Sequence, residues 1–129
     1  MKISHLDHVV LTVRDFSATI QFYENVLGMK HAMFDGEFHA LHFGNQKINL
    51  HPYRKEYCPH AEYTLPGAAD LCFISEGTIE IIASELERHG VKIEVGPVPQ
   101  TGAGGPMQSV YFKDPDRNLI EVAVYNQRT

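Results

Sequence analysis

Five residues that could bind a metal ion or move a proton lie on segments that otherwise look like β-strands: His8, Asn49, His51, Asp70 and Glu121. Imidazole nitrogens and carboxylate oxygens are ligands for Ni²⁺, Zn²⁺, Mn²⁺ and Fe²⁺, and a mixed shell with open positions is typical of catalytic metal sites. The residue types therefore predict a divalent-metal pocket whose ligands are His8, His51, Asp70 and Glu121.

Roles within this pocket follow from the chemistry of each side chain. Glu121 and His51 are the predicted catalytic groups, because a carboxylate and a neutral imidazole can both accept a proton. Asn49 and Tyr125 are predicted to contact the substrate, since a neutral amide is a weak metal ligand but a good hydrogen-bonding group.

Simpler interpretations exist for the same residues. A single histidine on a strand is more often a hydrogen-bonded residue than a ligand, and Asp70 could instead cap a turn after Gly67. The remaining histidines lie near the ends of predicted elements, in loops or off the common face, and we interpret them as surface or packing residues. They are His5, His31, His39, His42, His60 and His89.

The first half of the chain has the pattern β-α-β-β-β. Residues 6–13 alternate, so that Val9, Leu11 and Val13 share one face and His8 lies on the other. A helix follows, with Asp15 or Ser17 as N-cap and Gly28 after its last turn. Three more strands are predicted, separated by Asp-Gly and Gly-Asn turns, at residues 30–34, 37–43 and 47–52.

The second half repeats this order. Residues 68–75 form a predicted strand, and Thr78 is the N-cap of a helix that ends at Gly90. Further strands are predicted at residues 91–96, 107–112 and 118–125. We therefore predict an α+β fold in which two βαβββ modules form a cupped mixed sheet, within one domain of 129 residues. Module one spans residues 5–53, a linker spans 54–67, and module two spans 68–126.

Superposing the two halves places His8 over Asp70 and Asn49 over Glu121. Each of these residues is out of phase with its apolar neighbours, which must face the helices. His51 lies two residues beyond Asn49 and points the same way. All five polar residues are therefore expected on one concave face.

A glycine-rich segment at residues 97–106 interrupts the second half. No helix N-terminus follows it, which argues against a phosphate-binding loop. It is interpreted as a mobile flap over the pocket or as a plain connector.

Composition excludes several classes of protein. Sixteen acidic and eleven basic residues give a formal charge of −5, which opposes binding to nucleic acid. No apolar run is long enough to span a membrane, and no secretory signal is apparent. Cys58 and Cys72 lack metal-binding or redox spacing, so we expect reduced thiols and a cytoplasmic protein, with a disulfide between them as the alternative.

Several motifs together resemble the vicinal oxygen chelate superfamily, which includes glyoxalase I, bleomycin-binding proteins, fosfomycin-resistance proteins and extradiol dioxygenases. They are LDHVVLTV, FYENVLGM, FGNQKINLH, GPVPQTGAGGP and YFKDPDRNLIEV. Within the superfamily, the chain most resembles the group of glyoxalase domain-containing protein 5 and its bacterial relatives. The resemblance implies a small-molecule substrate, a metal that chelates vicinal oxygens, and a homodimer.

The resemblance also assigns positions. His8 and Glu121 match the first and last ligand positions of the superfamily. Asn49 stands where glyoxalase I has a metal-binding Glu, and Asp70 stands where dioxygenases have a second His. Arg117 replaces the Gly of a DPDGN turn, which implies a left-handed backbone at a non-glycine residue.

Three functions remain open. The first is a metal-dependent lyase, isomerase or transferase that acts on a small oxygen-rich substrate through a metal-stabilised enediolate or alkoxide. The second is a non-catalytic protein that sequesters a small molecule such as an antibiotic. The third is an extradiol-type dioxygenase.

Overall fold

A computed structural model of the chain describes residues 1–126 and consists of two units, the second of which starts at Ala69. The first unit contains β1 His8–Val13, α1 Phe16–Asn25, β2 Lys30–Phe34, β3 Phe38–Phe43 and β4 Gln46–Pro52. The second contains β5 Asp70–Ile74, α2 Ile79–Arg88, β6 Val95–Gly102, β7 Gly105–Lys113 and β8 Leu119–Tyr125. The predicted α+β fold of two βαβββ modules is confirmed.

Each unit has its own four-stranded mixed sheet. The strand order is β1-β4-β3-β2 in the first unit and β5-β8-β7-β6 in the second. The first and last strands of each unit pair in parallel, and the other neighbours pair antiparallel. A parallel pair needs a crossover connection, which the helix after the first strand begins in both units.

The helices begin at the predicted N-caps. The Asp15 side chain accepts a hydrogen bond from the Ala18 N–H at 3.1 Å, and the Thr78 hydroxyl accepts one from the Ile81 N–H at 3.3 Å. These bonds satisfy backbone donors that have no partner inside the helix. Gly28 follows α1 with φ +67°, a conformation that glycine adopts without steric cost.

The apolar face of each sheet forms the core of its unit. The alternation in β1 is confirmed, because Leu11 and Val13 are buried while His8 is exposed. Other buried apolar residues on the strands are Leu41, Ile48 and Leu50 in the first unit, and Val110, Phe112, Ile120 and Val122 in the second. Each fully buried side chain of this size stabilises the fold by about 1.5–3 kcal/mol relative to exposure.

The glycine-rich segment is not a flap or a loop, and this prediction was wrong. β6 runs to Gly102 and β7 starts at Gly105, so a two-residue turn joins a long hairpin. Pro97 and Pro99 lie on β6, which is an edge strand, and prolines are tolerated there because one side of the backbone has no partner strand. Gly96 approaches β7 so closely that an added Cβ would come within 2.4 Å of the Ser109 carbonyl oxygen.

The strand predicted at residues 91–96 was also misplaced. The Val91 N–H donates to the Leu86 carbonyl at 2.9 Å, so it completes the end of α2 and is not available for a sheet. Pairing with β7 begins at Val95, and the register shifts between Val95 and Val98. Alternating hydrophobicity in this region therefore reflects a helix end followed by a strand, not one strand.

The turn between β7 and β8 is held by buried polar residues. Asp114 accepts hydrogen bonds from the Asp116 N–H, the Asn118 N–H and the Asn118 side-chain amide at 3.0, 2.9 and 2.8 Å. The Asn118 side-chain oxygen accepts from the Ala69 N–H at 2.9 Å, which joins the turn to the start of β5. Arg117 has φ 72°, the left-handed conformation expected from its place in this turn.

The helices described within residues 1–126 are too short and too polar to cross a membrane.

Candidate functional site

Three of the predicted site residues share one face of the first sheet. In the parallel pairing of β1 with β4, Val10 lies opposite Asn49 and Thr12 lies opposite His51. Paired residues point to the same side of a sheet, and His8 is two residues before Val10. The prediction that His8, Asn49 and His51 face the same way is confirmed.

These three residues line a cavity of about 350 Å³ within the first unit. Aromatic side chains form much of its remaining wall, namely Phe34, Phe38 and Tyr57. A volume of this size lies at the lower end of the range for small-molecule sites. The predicted face is therefore concave and can hold an organic ligand.

His51 is the most buried polar residue of this cavity. Its side chain contacts the Tyr57 ring edge to face, at 4.9 Å between centroids, and only 9% of the residue is exposed. Burial lowers the pKa of His51 below its usual value, and the nearby His60 adds to this effect, while Glu56 opposes it. A neutral imidazole can accept a proton or bind a metal, and its buried Nδ1 atom has no hydrogen-bond partner.

His8 is more exposed and is oriented by its neighbour. Its Nδ1 atom lies 2.8 Å from an Asp7 carboxylate oxygen. The hydrogen bond with His8 lowers the pKa of Asp7. A carboxylate on one ring nitrogen favours the tautomer in which the other nitrogen, Nε2, is the acceptor.

Two predicted ligands share a face of the second sheet. Glu121 in β8 has a neighbour on each side: Cys72 in β5 and Tyr111 in β7. Asp70 is two residues before Cys72 on β5 and therefore points to the same side. The face of Asp70 and Glu121 is therefore as predicted. The Glu121 Oε2 atom is buried and has no hydrogen-bond partner.

Glu121 changes the titration of both neighbours. Desolvation raises the pKa of Cys72 to about 11, and the Glu121 and Asp70 carboxylates add to the increase. Desolvation and a hydrogen bond to Glu121 also raise the pKa of Tyr111. Both groups are therefore protonated at neutral pH and can act as donors to the carboxylate.

Tyr125, which was predicted to contact the substrate, contacts the turn between β6 and β7. Its hydroxyl accepts a hydrogen bond from the Gly104 N–H at 2.8 Å. A Cβ atom added at Gly102 would come within 2.7 Å of the same hydroxyl oxygen. The tyrosine thus packs against the turn between β6 and β7, and its substrate role stays a prediction.

The donor chemistry of the two faces fits a metal ion in part. On the first-unit face Asn49 Oδ1 and His51 Nδ1 are buried without hydrogen-bond partners, and on the second-unit face Glu121 Oε2 is. Each is of an atom type that can bind a cation. Among residues 1–126, however, no group of three or more His, Cys, Asp or Glu side chains is arranged to hold a metal ion. The proposed ligand set stays a prediction.

Sequence reasoning missed the neighbours of the predicted residues. Asp7 could have been found, because it directly precedes His8, and Cys72 could have been found from strand alternation with Asp70. Phe34 and Phe38 flank a predicted turn, where no periodic signal marks a cavity wall. Tyr57 lies in the irregular segment after β4, for which the sequence has no positional signal.

The chain belongs to the Glyoxalase/Bleomycin resistance protein/Dioxygenase superfamily, whose family model matches residues 5–122. It is similar to virulence protein STM3117 of Salmonella typhimurium, with 50% identity over 97% of this chain and 87% of that protein. The crystal structure of STM3117 superposes with a TM-score of 0.96 at 49% identity, and the match covers 98% of this chain and 100% of that one.

Two further relatives support the same membership. Glyoxalase domain-containing protein RDO1 of Mycosarcoma maydis is 45% identical over 97% of this chain and 70% of its own length. The structure of an integron cassette protein from the mobile metagenome of V. cholerae has a TM-score of 0.95 at 52% identity, over 98% of each chain.

More distant structures share the fold alone. Lactoylglutathione lyase from Agrobacterium tumefaciens matches with a TM-score of 0.72 at 22% identity, over 95% of each chain. The antibiotic-binding protein TnmS3 from Streptomyces matches with a TM-score of 0.76 at 19% identity, over 98% of this chain and 99% of that one. The superfamily fold therefore occurs in both an enzyme and a binding protein.

Proposed function

We propose that the chain is a metal-dependent enzyme of the lyase, isomerase or transferase type that acts on a small oxygen-rich molecule. The observation that carries this proposal is the set of buried acceptor atoms left without partners on the two site faces. Buried acceptors cost free energy unless a ligand, a proton donor or a cation satisfies them. Membership in a superfamily that contains glyoxalases supports the same class.

In this proposal His8, His51, Asp70 and Glu121 hold a divalent metal, which is Ni²⁺, Zn²⁺, Mn²⁺ or Fe²⁺. When bound, the metal supplies a Lewis acid for negative charge that develops on a substrate oxygen.

The chain's own residues orient the substrate and move protons. A lone pair that binds a metal cannot also accept a proton, so the proton acceptor is whichever of His51 and Glu121 is not bound to the metal. The lowered pKa of His51 supports this role for it. Asn49 accepts a hydrogen bond from a substrate hydroxyl, and Tyr125 is a further proposed contact.

A test measures the affinity of chelator-treated protein for each of the four metals by calorimetry. We expect His8→Ala and Glu121→Ala to weaken metal binding at least tenfold, because each removes a ligand. Matched controls are His89→Ala and Glu80→Ala, both exposed on or next to α2, which are expected to bind as the unchanged chain does. Failure of the unchanged protein to bind any of the metals would contradict the proposal.

The second candidate is a protein that sequesters a small molecule without catalysis. The aromatic wall of the first-unit cavity favours it, because stacking and hydrogen bonding bind a ligand without a metal. Tight ligand binding by metal-free protein, with the ligand recovered unchanged, would support this candidate.

An extradiol-type dioxygenase is a third candidate, and Fe²⁺-dependent oxygen uptake with catechols is its test.

We also propose a homodimer, which the exposed apolar residues on the site-bearing strands support. Val10 in β1 is 45% exposed and Ile74 in β5 is 53% exposed in the single chain. Sedimentation equilibrium tests this, and a monomer at micromolar concentration would contradict it. We further propose a cytoplasmic location, with which the unpaired Cys58 and Cys72 are compatible. Membership in the group of glyoxalase domain-containing protein 5 is also a proposal.

A further inference from the structure

Four aromatic rings follow one another along the wall of the first-unit cavity. Phe34 contacts Phe38 at 5.5 Å between ring centroids, and Phe38 contacts Tyr57 edge to face at 4.8 Å. Tyr57 in turn contacts the His51 ring at 4.9 Å, also near perpendicular. The Lys47 ammonium group lies 3.8 Å from the centroid of Phe34. The cavity therefore has an extended ring-lined side that favours another aromatic ring in offset or edge-to-face contact.

The polar side of the same cavity includes two atoms that can accept a hydrogen bond and have no partner. Asn49 Oδ1 and His51 Nδ1 are buried and have no hydrogen-bond partner, and His51 is only 9% exposed. A ligand that donates hydrogen bonds would satisfy these atoms, whereas a ligand that only accepts would leave them unpaired. These two atoms thus favour a ligand that donates a hydrogen bond to them.

We infer that this cavity binds an aromatic ring that carries a hydroxyl group, with the ring against Phe34, Phe38 and Tyr57 and the hydroxyl donating to Asn49 or His51. The cavity volume of about 350 Å³ suits a single ring with small substituents. This inference rests on the proposed function in that it names the class of substrate for the same site. It does not depend on the metal.

Three probes of similar shape separate the two parts of the inference. 4-Methylphenol has the ring and the donor, 4-methylanisole has the ring without the donor, and 4-methylcyclohexanol has the donor without the aromatic ring. Each is titrated into ¹⁵N-labelled, chelator-treated protein, and the dissociation constant is read from amide shifts of the cavity residues. We expect 4-methylphenol to bind about tenfold more tightly than either of the others, which corresponds to one neutral hydrogen bond or one ring contact.

Two variants assign the effect to residues. Asn49→Leu removes an acceptor at nearly constant volume and is expected to reduce the preference for 4-methylphenol over 4-methylanisole. Phe38→Leu is expected to weaken both aromatic probes and to leave 4-methylcyclohexanol unchanged. Gln21→Leu on the exposed side of α1 and Phe73→Leu in β5 are the matched controls, and neither residue lines the cavity.

The comparison in the unchanged protein needs no variant, so a variant that fails to fold does not prevent the test. Equal binding of 4-methylcyclohexanol would overturn the aromatic part, and equal binding of 4-methylanisole would overturn the donor part. No shift of any cavity residue with any probe would overturn both. The titration uses protein without metal, so its failure is distinct from a failure of the metal-binding test, and either result can occur without the other.

Discussion

The two units have the same order of elements and the same strand pairing, yet the faces that carry the predicted site differ in chemistry. The face in the first unit combines histidines and an amide with aromatic rings around a cavity. The face in the second unit brings the Glu121 carboxylate together with a thiol and a phenol, at Cys72 and Tyr111. The shared core pattern sets the topology, because apolar residues must face the helix, and the opposite face is free to differ.

The units also differ in how their strands are joined. In the first unit Gly44 and Asn45 connect β3 to β4, whereas in the second a buried network around Asp114 connects β7 to β8. The hairpins preceding these turns differ as well, since β6 and β7 are longer than β2 and β3. The second unit therefore depends on specific polar residues at positions where the first uses a short turn.

The largest expected effect tests this difference in turns. Asp114→Ala removes three hydrogen bonds and leaves buried donors unpaired, so the free energy of unfolding should fall by about 3 kcal/mol. Asn45→Ala, in the corresponding turn of the first unit, should cost less than about 0.5 kcal/mol. Urea unfolding measures both. Equal losses in the free energy of unfolding for the two variants would show that the second unit does not depend on its turn residues more than the first.

A second prediction compares the two cysteines. In a Cys58→Ser background, Cys72 should react with iodoacetamide at pH 8 at least about tenfold more slowly than an ordinary thiol, because its pKa of about 11 leaves little thiolate. Adding Glu121→Gln should increase the rate, since it removes one of the charges that oppose ionisation. Cys58 is an exposed thiol at the first-unit cavity, and it should react faster when probed in a Cys72→Ser background. The reverse order would contradict the electrostatic contrast between the faces.

A third prediction concerns the hairpin of the second unit. Tyr125→Phe removes the acceptor for the Gly104 N–H and should lower the free energy of unfolding by about 1 kcal/mol. Tyr63→Phe, at a residue that is 81% exposed, is the control and should have no measurable effect. Thermal unfolding at matched pH provides the comparison. No destabilisation by Tyr125→Phe would indicate that the hydroxyl is free for another role, such as substrate binding.

The smallest effect is a pH dependence in the first unit. Burial and the adjacent His31 lower the pKa of His39 from 6.5. The unfolded chain therefore takes up a proton at higher pH than the folded chain, so the contribution of His39 to stability is present above about pH 6.5 and is lost as the pH falls below it.

Urea unfolding between pH 7.5 and pH 5 should show this loss, and His39→Gln should reduce it. His42→Gln, at an exposed position on the same strand, is the control. An identical pH profile for His39→Gln and the unchanged chain would refute the prediction. His39 titration followed by NMR gives the pKa directly.

The sequence alone was enough to predict the duplicated fold and, within each unit, the strand face of five polar residues. They are His8, Asn49, His51, Asp70 and Glu121, and one pocket shared by all five stays a prediction. Strand alternation placed His8 and His51 opposite the core, and side-chain oxygens at Asp15 and Thr78 marked the helix starts. These signals are local, because they depend on the period of an element and on hydrogen bonds within one turn. Predictions from these signals are correct in this chain where apolar residues recur with a regular helical or strand period.

Only the tertiary structure decided the rest. Pro97 and Pro99 join a strand because β7 supplies a partner and the sheet edge tolerates missing donors, neither of which the local sequence indicates. Tyr57 reaches His51 from a segment without any period, and the cavity wall follows from that contact. The sequence by itself thus determined which side chains face away from the core. Long-range packing determined what surrounds those side chains, because neighbours in space are not neighbours along the chain.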